Sequence, residues 1–231
     1  MDEWWTYRPS DFLMFSPPIY WRLFESLNRT GWPLAILAVT LGLVAWVTRR
    51  RARTSGIEAT GSARLTALLM AGCCLYVAWA FFWQRFAPIY SAAPAFAALF
   101  ALKAAVWALL GASPGVSWAP RSYRTEFGVL LAIWAFVGHP VLALIFGRSL
   151  WQAEWFGLAP DPTVLGGLAL LLMLDLSRCR ASQVLFWTLW VVSLLWCAIS
   201  SLTLWTLEER QGLILLTLGL LALSAGALRR R

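Results

Sequence analysis

Apolar residues along this chain come in long blocks, and charged residues fall in the breaks between them. The block from Trp32 to about residue 48 carries no charge and runs straight into Arg49, Arg50, Arg51 and Arg53. Further blocks cover about 65–83, 92–110, 127–146, 163–177, 183–205 and 212–228. A bilayer's hydrocarbon core is crossed by about 20 apolar residues in helix, so the pattern predicts an all-α bundle of about seven transmembrane spans. The fifth block is the shortest, and a re-entrant fifth segment would leave six. Residues 17–29 follow a different rule. Ile19, Tyr20, Leu23, Phe24 and Leu27 recur at helical spacing, with Arg22, Glu25, Ser26 and Arg29 opposite. Ser16 as cap and Pro17-Pro18 in the first turn mark the start of a helix. Such an amphipathic helix lies in the membrane interface through residues such as Tyr20, Trp21, Arg22 and Phe24, or packs on the outer mouth of the bundle. The chain thus divides into an N-terminal amphipathic segment, 1–31, and the bundle, 32–231.

Charge sets an orientation. Arginines beside a membrane helix tend to stay in the cytoplasm. With the N-terminus outside, 12 of the 19 basic residues fall in cytoplasmic loops and the C-terminal tail, six in outer segments and one, Lys103, within a span. The acids invert this, with eight outside, Glu58 and Glu126 inside and Asp175 in a span. The prediction is therefore N-out and C-in. The net charge of +8 reads as a topology signal; nothing gathers it into a basic patch for nucleic acid. Hydrophobic residues make up 60% of the chain and charged residues 13%, against about 45–50% and 25% in soluble domains. The 16 tryptophans suit the membrane–water boundary. Residues 1–12 lack the basic and apolar regions of a signal peptide. Asn28-Arg29-Thr30 has the spacing of a glycosylation acceptor, a pattern of little weight in such a chain.

Small residues form packing stripes, Ala97/Ala101/Ala104/Ala108 on the third span and Ser193/Cys197/Ser200/Ser201 on the sixth. They let helices approach closely in lipid. The runs SDFLMFSPPIYWRLFESLNRTGWPL and RFAPIYSAAPAFAALFALKA, with the turn Phe86-Ala87-Pro88-Ile89, resemble a family of small multispanning bacterial membrane proteins catalogued only as a domain of unknown function. The resemblance implies a bacterial inner-membrane location and carries no functional residues with it.

An ionisable side chain within the bilayer costs about 2.5–3.5 kcal/mol on insertion scales and is a functional hypothesis by default. Lys103 and Asp175 are placed at similar depth, and His139 further out. Were their spans adjacent, the three would form a polar column, with Pro140 breaking or loosening the fourth helix. An imidazole takes up and releases protons near cellular pH, as coupled transport requires. Each residue also has a plainer reading. Asp175 can pair at the interface with Arg178, Lys103 can reach inward along its stem, and His139 can bond a carbonyl freed by the proline. Cys73 and Cys74 resemble the paired thiols of mercuric-ion transporters, where soft ligands hand on a soft metal. Neighbouring side chains on a helix diverge, however, and buried cysteine often only packs. A single histidine excludes a bis-histidine haem, and no cofactor is otherwise indicated. Enzyme signatures are absent. The expectation is a non-enzymatic membrane protein: a small carrier or channel for an ion or solute, or alternatively an anchor or assembly subunit of a membrane complex. Its partners would be the lipid bilayer and other membrane subunits or further copies of itself.

Overall fold

The computed structural model describes residues 15–51, 56–113, 115–176 and 180–227. The acidic N-terminal residues before Phe15, Arg53, Arg178, Cys179 and the closing arginines lie outside them.

Each predicted block contains a helix. The amphipathic segment and the first block are one helix, α1 (Pro17–Arg51), of 35 residues with Pro33 inside it, about 52 Å long at 1.5 Å per residue. Its aromatic face is covered by protein. Phe24 stacks on Phe81 at 4.9 Å, Tyr20 meets Phe86 at 6.1 Å, and Tyr20, Trp21, Phe24 and Leu27 are all buried while Arg22 is exposed. Of the two placements left open by the pattern, this is packing on the mouth of the bundle. Asn28 is also buried and donates to two backbone carbonyls, which removes it as a glycosylation acceptor.

The second block is α2 (Gly56–Tyr76), which continues as π-helical turns over Val77–Phe86. The third is α3 (Ala93–Ala112). The fourth starts at α4 (Tyr123–Ile133), where the Ser122 side chain accepts from the backbone N–H of Thr125 in a capping box. It passes through a π turn, Trp134–Gly138, into α5 (His139–Ile145). The π turn has a local cause. Pro140 has no N–H and its ring crowds the carbonyl one turn back, and widening the preceding turn relieves that crowding while His139 N–H bonds to the Trp134 carbonyl. The proline adjusts the helix register here; the helix is not broken.

The fifth block differs most from expectation. Helix α6 (Pro160–Met173) has only 14 residues and all are buried. At about 21 Å it is shorter than the ~30 Å hydrocarbon thickness. Residues Leu174–Leu176 form a strand, β2, instead of extending the helix. They pair antiparallel with β1 (Val116–Trp118), placing Ser117 opposite Asp175. The end of α6 is satisfied from neighbouring chain: Ala119 N–H donates to the Met173 carbonyl at 2.9 Å and Arg124 to the Leu174 carbonyl at 3.1 Å. Arg64 does the same for α3, bonding the Gly111 and Ala112 carbonyls at 2.8 and 3.1 Å. Non-helical backbone is tolerated at membrane depth only where protein surrounds it, and α6 has that surround. Helix α4 approaches so closely that a Cβ on Gly128 would lie 3.0 Å from the Ala169 carbonyl oxygen. Helices α7 (Arg180–Thr206) and α8 (Gln211–Ala227) complete the bundle.

Four of the described helical rods are long and apolar enough to cross a membrane, at 60–86, 93–112, 123–145 and 180–206, while α6 and α8 are shorter apolar helices. Large apolar side chains such as Leu75, Trp79, Trp83, Ile133, Trp187 and Trp205 face outward. In water such surfaces would drive aggregation; in lipid they are the expected exterior.

Candidate functional site

The sequence predicts an outer loop over residues 147–162, GRSLWQAEWFGLAPDP, most of which lies between α5 and α6. The structure folds it into the bundle. Asn28 holds its start, donating to the carbonyls of Trp151 at 2.7 Å and Ala153 at 2.8 Å. Phe156 packs on Phe136 with ring centroids 4.1 Å apart. Gly157 turns the chain with φ +80°, a conformation that costs glycine little, and its N–H donates to Thr163 Oγ1 at 2.9 Å. Between these anchors Glu154 is carried inward and buried.

Glu154 meets two other buried ionisable residues. His139, at the start of α5, places Nε2 3.4 Å from Glu154 Oε2, yet neither ring nitrogen makes a hydrogen bond with the protein, nor does Glu154 Oε1. Asp161, in the first turn of α6, is fully buried. Its Oδ1 accepts from Trp196 Nε1 and its Oδ2 from Ser200 Oγ, each at 2.8 Å. A carboxylate in a first helical turn also faces the positive end of the helix dipole. One ligand-capable atom from each of His139, Glu154 and Asp161 lies within 4.8 Å of the other two, the one such grouping among the described residues. Three separate elements thus aim three polar groups at one point inside an apolar bundle. Buried polar groups are nearly always partnered; the His139 ring makes no hydrogen bond and faces the Glu154 carboxylate at 3.4 Å.

Outward of this point lies a polar cap. Gln211, at the start of α8, donates to Glu154 Oε2 and accepts from Arg148. The Arg148 guanidinium sits 3.3 Å from the ring centroid of Trp21, and Trp21 donates to Glu209 at 2.9 Å. Burial lowers the pKa of Arg148, Glu154 and Glu209 oppose that shift, and arginine remains charged. Trp21, chosen from sequence as interfacial, therefore closes the mouth of the site, and Phe24 packs beside it at 5.7 Å.

Inward, the small-residue stripe of α7 turns out to be polar contact surface. Ser200 binds Asp161, and seven residues back Ser193 Oγ accepts from Lys103 Nζ at 3.0 Å. Buried Cys197 lies on the same face between them. Lys103 is buried, with its ammonium 5.3 Å from the Phe100 ring centroid. At 1.5 Å per residue the two serines are about 10 Å apart along the helix. Polar groups therefore run from Arg148 through Gln211 and Glu154 to His139 and Asp161, and the Lys103–Ser193 bond continues the line after a gap of about 10 Å along α7.

This corrects the column predicted from His139, Lys103 and Asp175. Asp175 lies in β2, where its Oδ1 accepts from the Leu176 backbone N–H at 3.0 Å, on the strand paired with β1, which follows the end of α3. Lys103 is nine residues before that end, about 13 Å by helical rise, and its ammonium bonds Ser193 instead. Proline 140 is buried beside His139 and sets the ring's place on α5. Cys73 and Cys74 do not converge. Cys73 Sγ lies 3.3 Å from where a Gly157 Cβ would stand, whereas Cys74 is buried on the face within electrostatic reach of Lys103.

Glu154, Asp161, Trp196, Gln211 and Arg148 were not singled out from the sequence, and Ser200 only as a packing residue. One signal was present. The supposed outer loop contains Leu150, Trp151, Trp155, Phe156 and Leu158, more apolar bulk than a hydrated loop accommodates.

Fold and site together define an α-helical integral membrane protein with a buried carboxylate–imidazole centre beneath a polar cap. The chain belongs to DUF6064, a family of unknown function, whose pattern matches residues 18–231. No curated protein and no solved structure matches it.

Proposed function

We propose that the chain is a non-enzymatic carrier of a small cation, with His139, Glu154 and Asp161 as its binding centre. The observation that carries this reading is the buried His139 ring without a hydrogen bond, set against the buried carboxylates of Glu154, on the connecting segment, and Asp161, at the head of the fully buried α6. Placing three ionisable side chains there costs several kcal/mol at about 2.5–3.5 kcal/mol each, a cost that packing alone gives no reason to bear. Short helices buried at the site are a recurring device of carriers. The ammonium of Lys103 stands at the inner end of the polar line and repels cations, which favours an alternating carrier over an open channel.

In this reading the chain crosses a bacterial inner membrane seven times, with the N-terminus outside and the C-terminus in the cytoplasm, as the distribution of arginines indicates. The centre then lies in the outer half of the bilayer. Reporter tags on the two termini would be found in opposite compartments. Purified protein in vesicles would move protons or a metal cation, and Asp161→Asn would abolish that movement. Equal flux in the parent and this variant would end the proposal. A second reading, an assembly subunit, draws on the outward tryptophans Trp79, Trp83, Trp187 and Trp205. It predicts other membrane proteins in fixed ratio after mild detergent extraction and no flux from the chain alone.

A further inference from the structure

We infer that the centre of His139, Glu154 and Asp161 binds one divalent transition-metal ion of the zinc or manganese kind. The inference rests on the carrier reading of the same site and names its cargo.

The argument begins with the donors. One imidazole and two carboxylates suit zinc, iron or manganese; magnesium and calcium take oxygen donors, and soft ions such as copper(I) take thiolates. With a neutral imidazole the donors carry two negative charges, which a dication cancels. That neutrality matters at this depth, where an uncompensated charge is costly. Geometry agrees. Two ligands on one tetrahedral ion at bond lengths of about 2.0–2.1 Å stand about 3.3–3.4 Å apart. His139 Nε2 and Glu154 Oε2 are 3.4 Å apart, longer than a good hydrogen bond between these atoms. The third donor lies within 4.8 Å of both, so closing around an ion at tetrahedral spacing is a side-chain movement of at most about 1.4 Å.

The surroundings hold the donors as metal sites do. Asp161 is oriented by Trp196 and Ser200, and Glu154 by Gln211 with Arg148 behind it. Such outer partners fix ligand orientation. Three protein ligands leave a coordination position open, and Glu154 is carried on a connecting segment between α5 and α6. Both features suit an ion that must be released.

The test uses the full chain in detergent, stripped with a chelator and dialysed separately against Zn²⁺, Mn²⁺ and Mg²⁺. Near one Zn²⁺ or Mn²⁺ per chain is expected, undisturbed by excess Mg²⁺. Co²⁺ in the same site would show ligand-field bands without thiolate charge transfer. Ser200→Ala, which removes only an outer partner, would weaken binding about 10–100-fold. His139→Ala and Asp161→Asn would weaken it further, and Cys73→Ser with Cys74→Ser would leave it unchanged. Binding no greater than the detergent blank, equal affinity after His139→Ala, or a thiolate band with Co²⁺ would each overturn the inference. Proton flux from a chain that binds no metal would leave the carrier standing and remove the metal. Metal bound without any flux would do the reverse.

Discussion

Replacing Asp161 separates what its carboxylate does for the fold from what it does for a ligand. In the structure both oxygens only accept, Oδ1 from the Trp196 indole and Oδ2 from the Ser200 hydroxyl, each at 2.8 Å and out of water. Asp161→Asn keeps the shape. The amide oxygen can remain on the indole N–H, and the amide NH₂ can face Ser200, whose hydroxyl rotates to accept. Both charge-assisted bonds become neutral ones, at about 1 kcal/mol each, offset in part because a buried charge is removed. Asp161→Ala keeps neither partner. Two buried donors are then left unpaired at about 1–3 kcal/mol each, giving about 2–6 kcal/mol before any cavity is counted. Unfolding of the purified protein by denaturing detergent, followed by far-ultraviolet circular dichroism, should rank parent and Asn variant close together and the Ala variant well below. Ion binding should be lost in both. Equal stability of the Ala variant and the parent would refute the buried hydrogen-bonded carboxylate. An Asn variant as unstable as Ala would refute the exchange of donor and acceptor at Ser200.

Other perturbations test the surrounding architecture. A Cβ at Gly166 would stand 2.3 Å from Phe156 Cε2, so Gly166→Ala must displace a ring by about 1 Å and should cost about 1–3 kcal/mol. Gly72→Ala, with nothing within 4 Å, should be neutral or gain up to about 1 kcal/mol, and the same detergent titration compares them. Lys103→Met replaces a buried ammonium with an apolar chain of similar volume, so stability should hold or rise while the barrier to cations at that end of the polar line falls and ungated flux in vesicles rises; a marked loss of stability would show that the Ser193 bond outweighs the burial of charge. Near the start of α1, Arg29 and then Gln152 hydrogen-bond Glu25 and hold its carboxyl below the ordinary range. A depressed folded pKa stabilises above the unfolded value and that contribution fades as pH falls through the folded one. Acid unfolding curves of Glu25→Gln should therefore lose part of the parent's decline at low pH, and superimposable curves would dismiss the contribution.

The helices and the membrane class were legible because both depend on local sums. Each apolar block is read from its own residues, and transfer into lipid adds up along it. The amphipathic pattern of residues 19–27 correctly marked the face of α1 that is buried, although neighbouring protein covers it. The centre was not legible in the same way. Glu154 and Asp161 counted as outer acids because a charge near a helix end normally meets water. What keeps them dry is remote in sequence: Trp196 and Ser200 lie 35 and 39 positions beyond Asp161, and Gln211 lies 57 beyond Glu154. His139 could be named from sequence as an ionisable group within a span, but its neighbours could not. Lys103 and Asp175 were paired on depth alone, and depth fixes neither rotation about a helix nor where that helix stops. Helix α6 stops at Met173 because β1 supplies a strand partner and Arg124 takes up the end of the chain. Hydropathy is a property of a segment and survives without its neighbours. A buried charge is tolerated only through the hydrogen bonds of a particular packing, and the tertiary structure alone decides those.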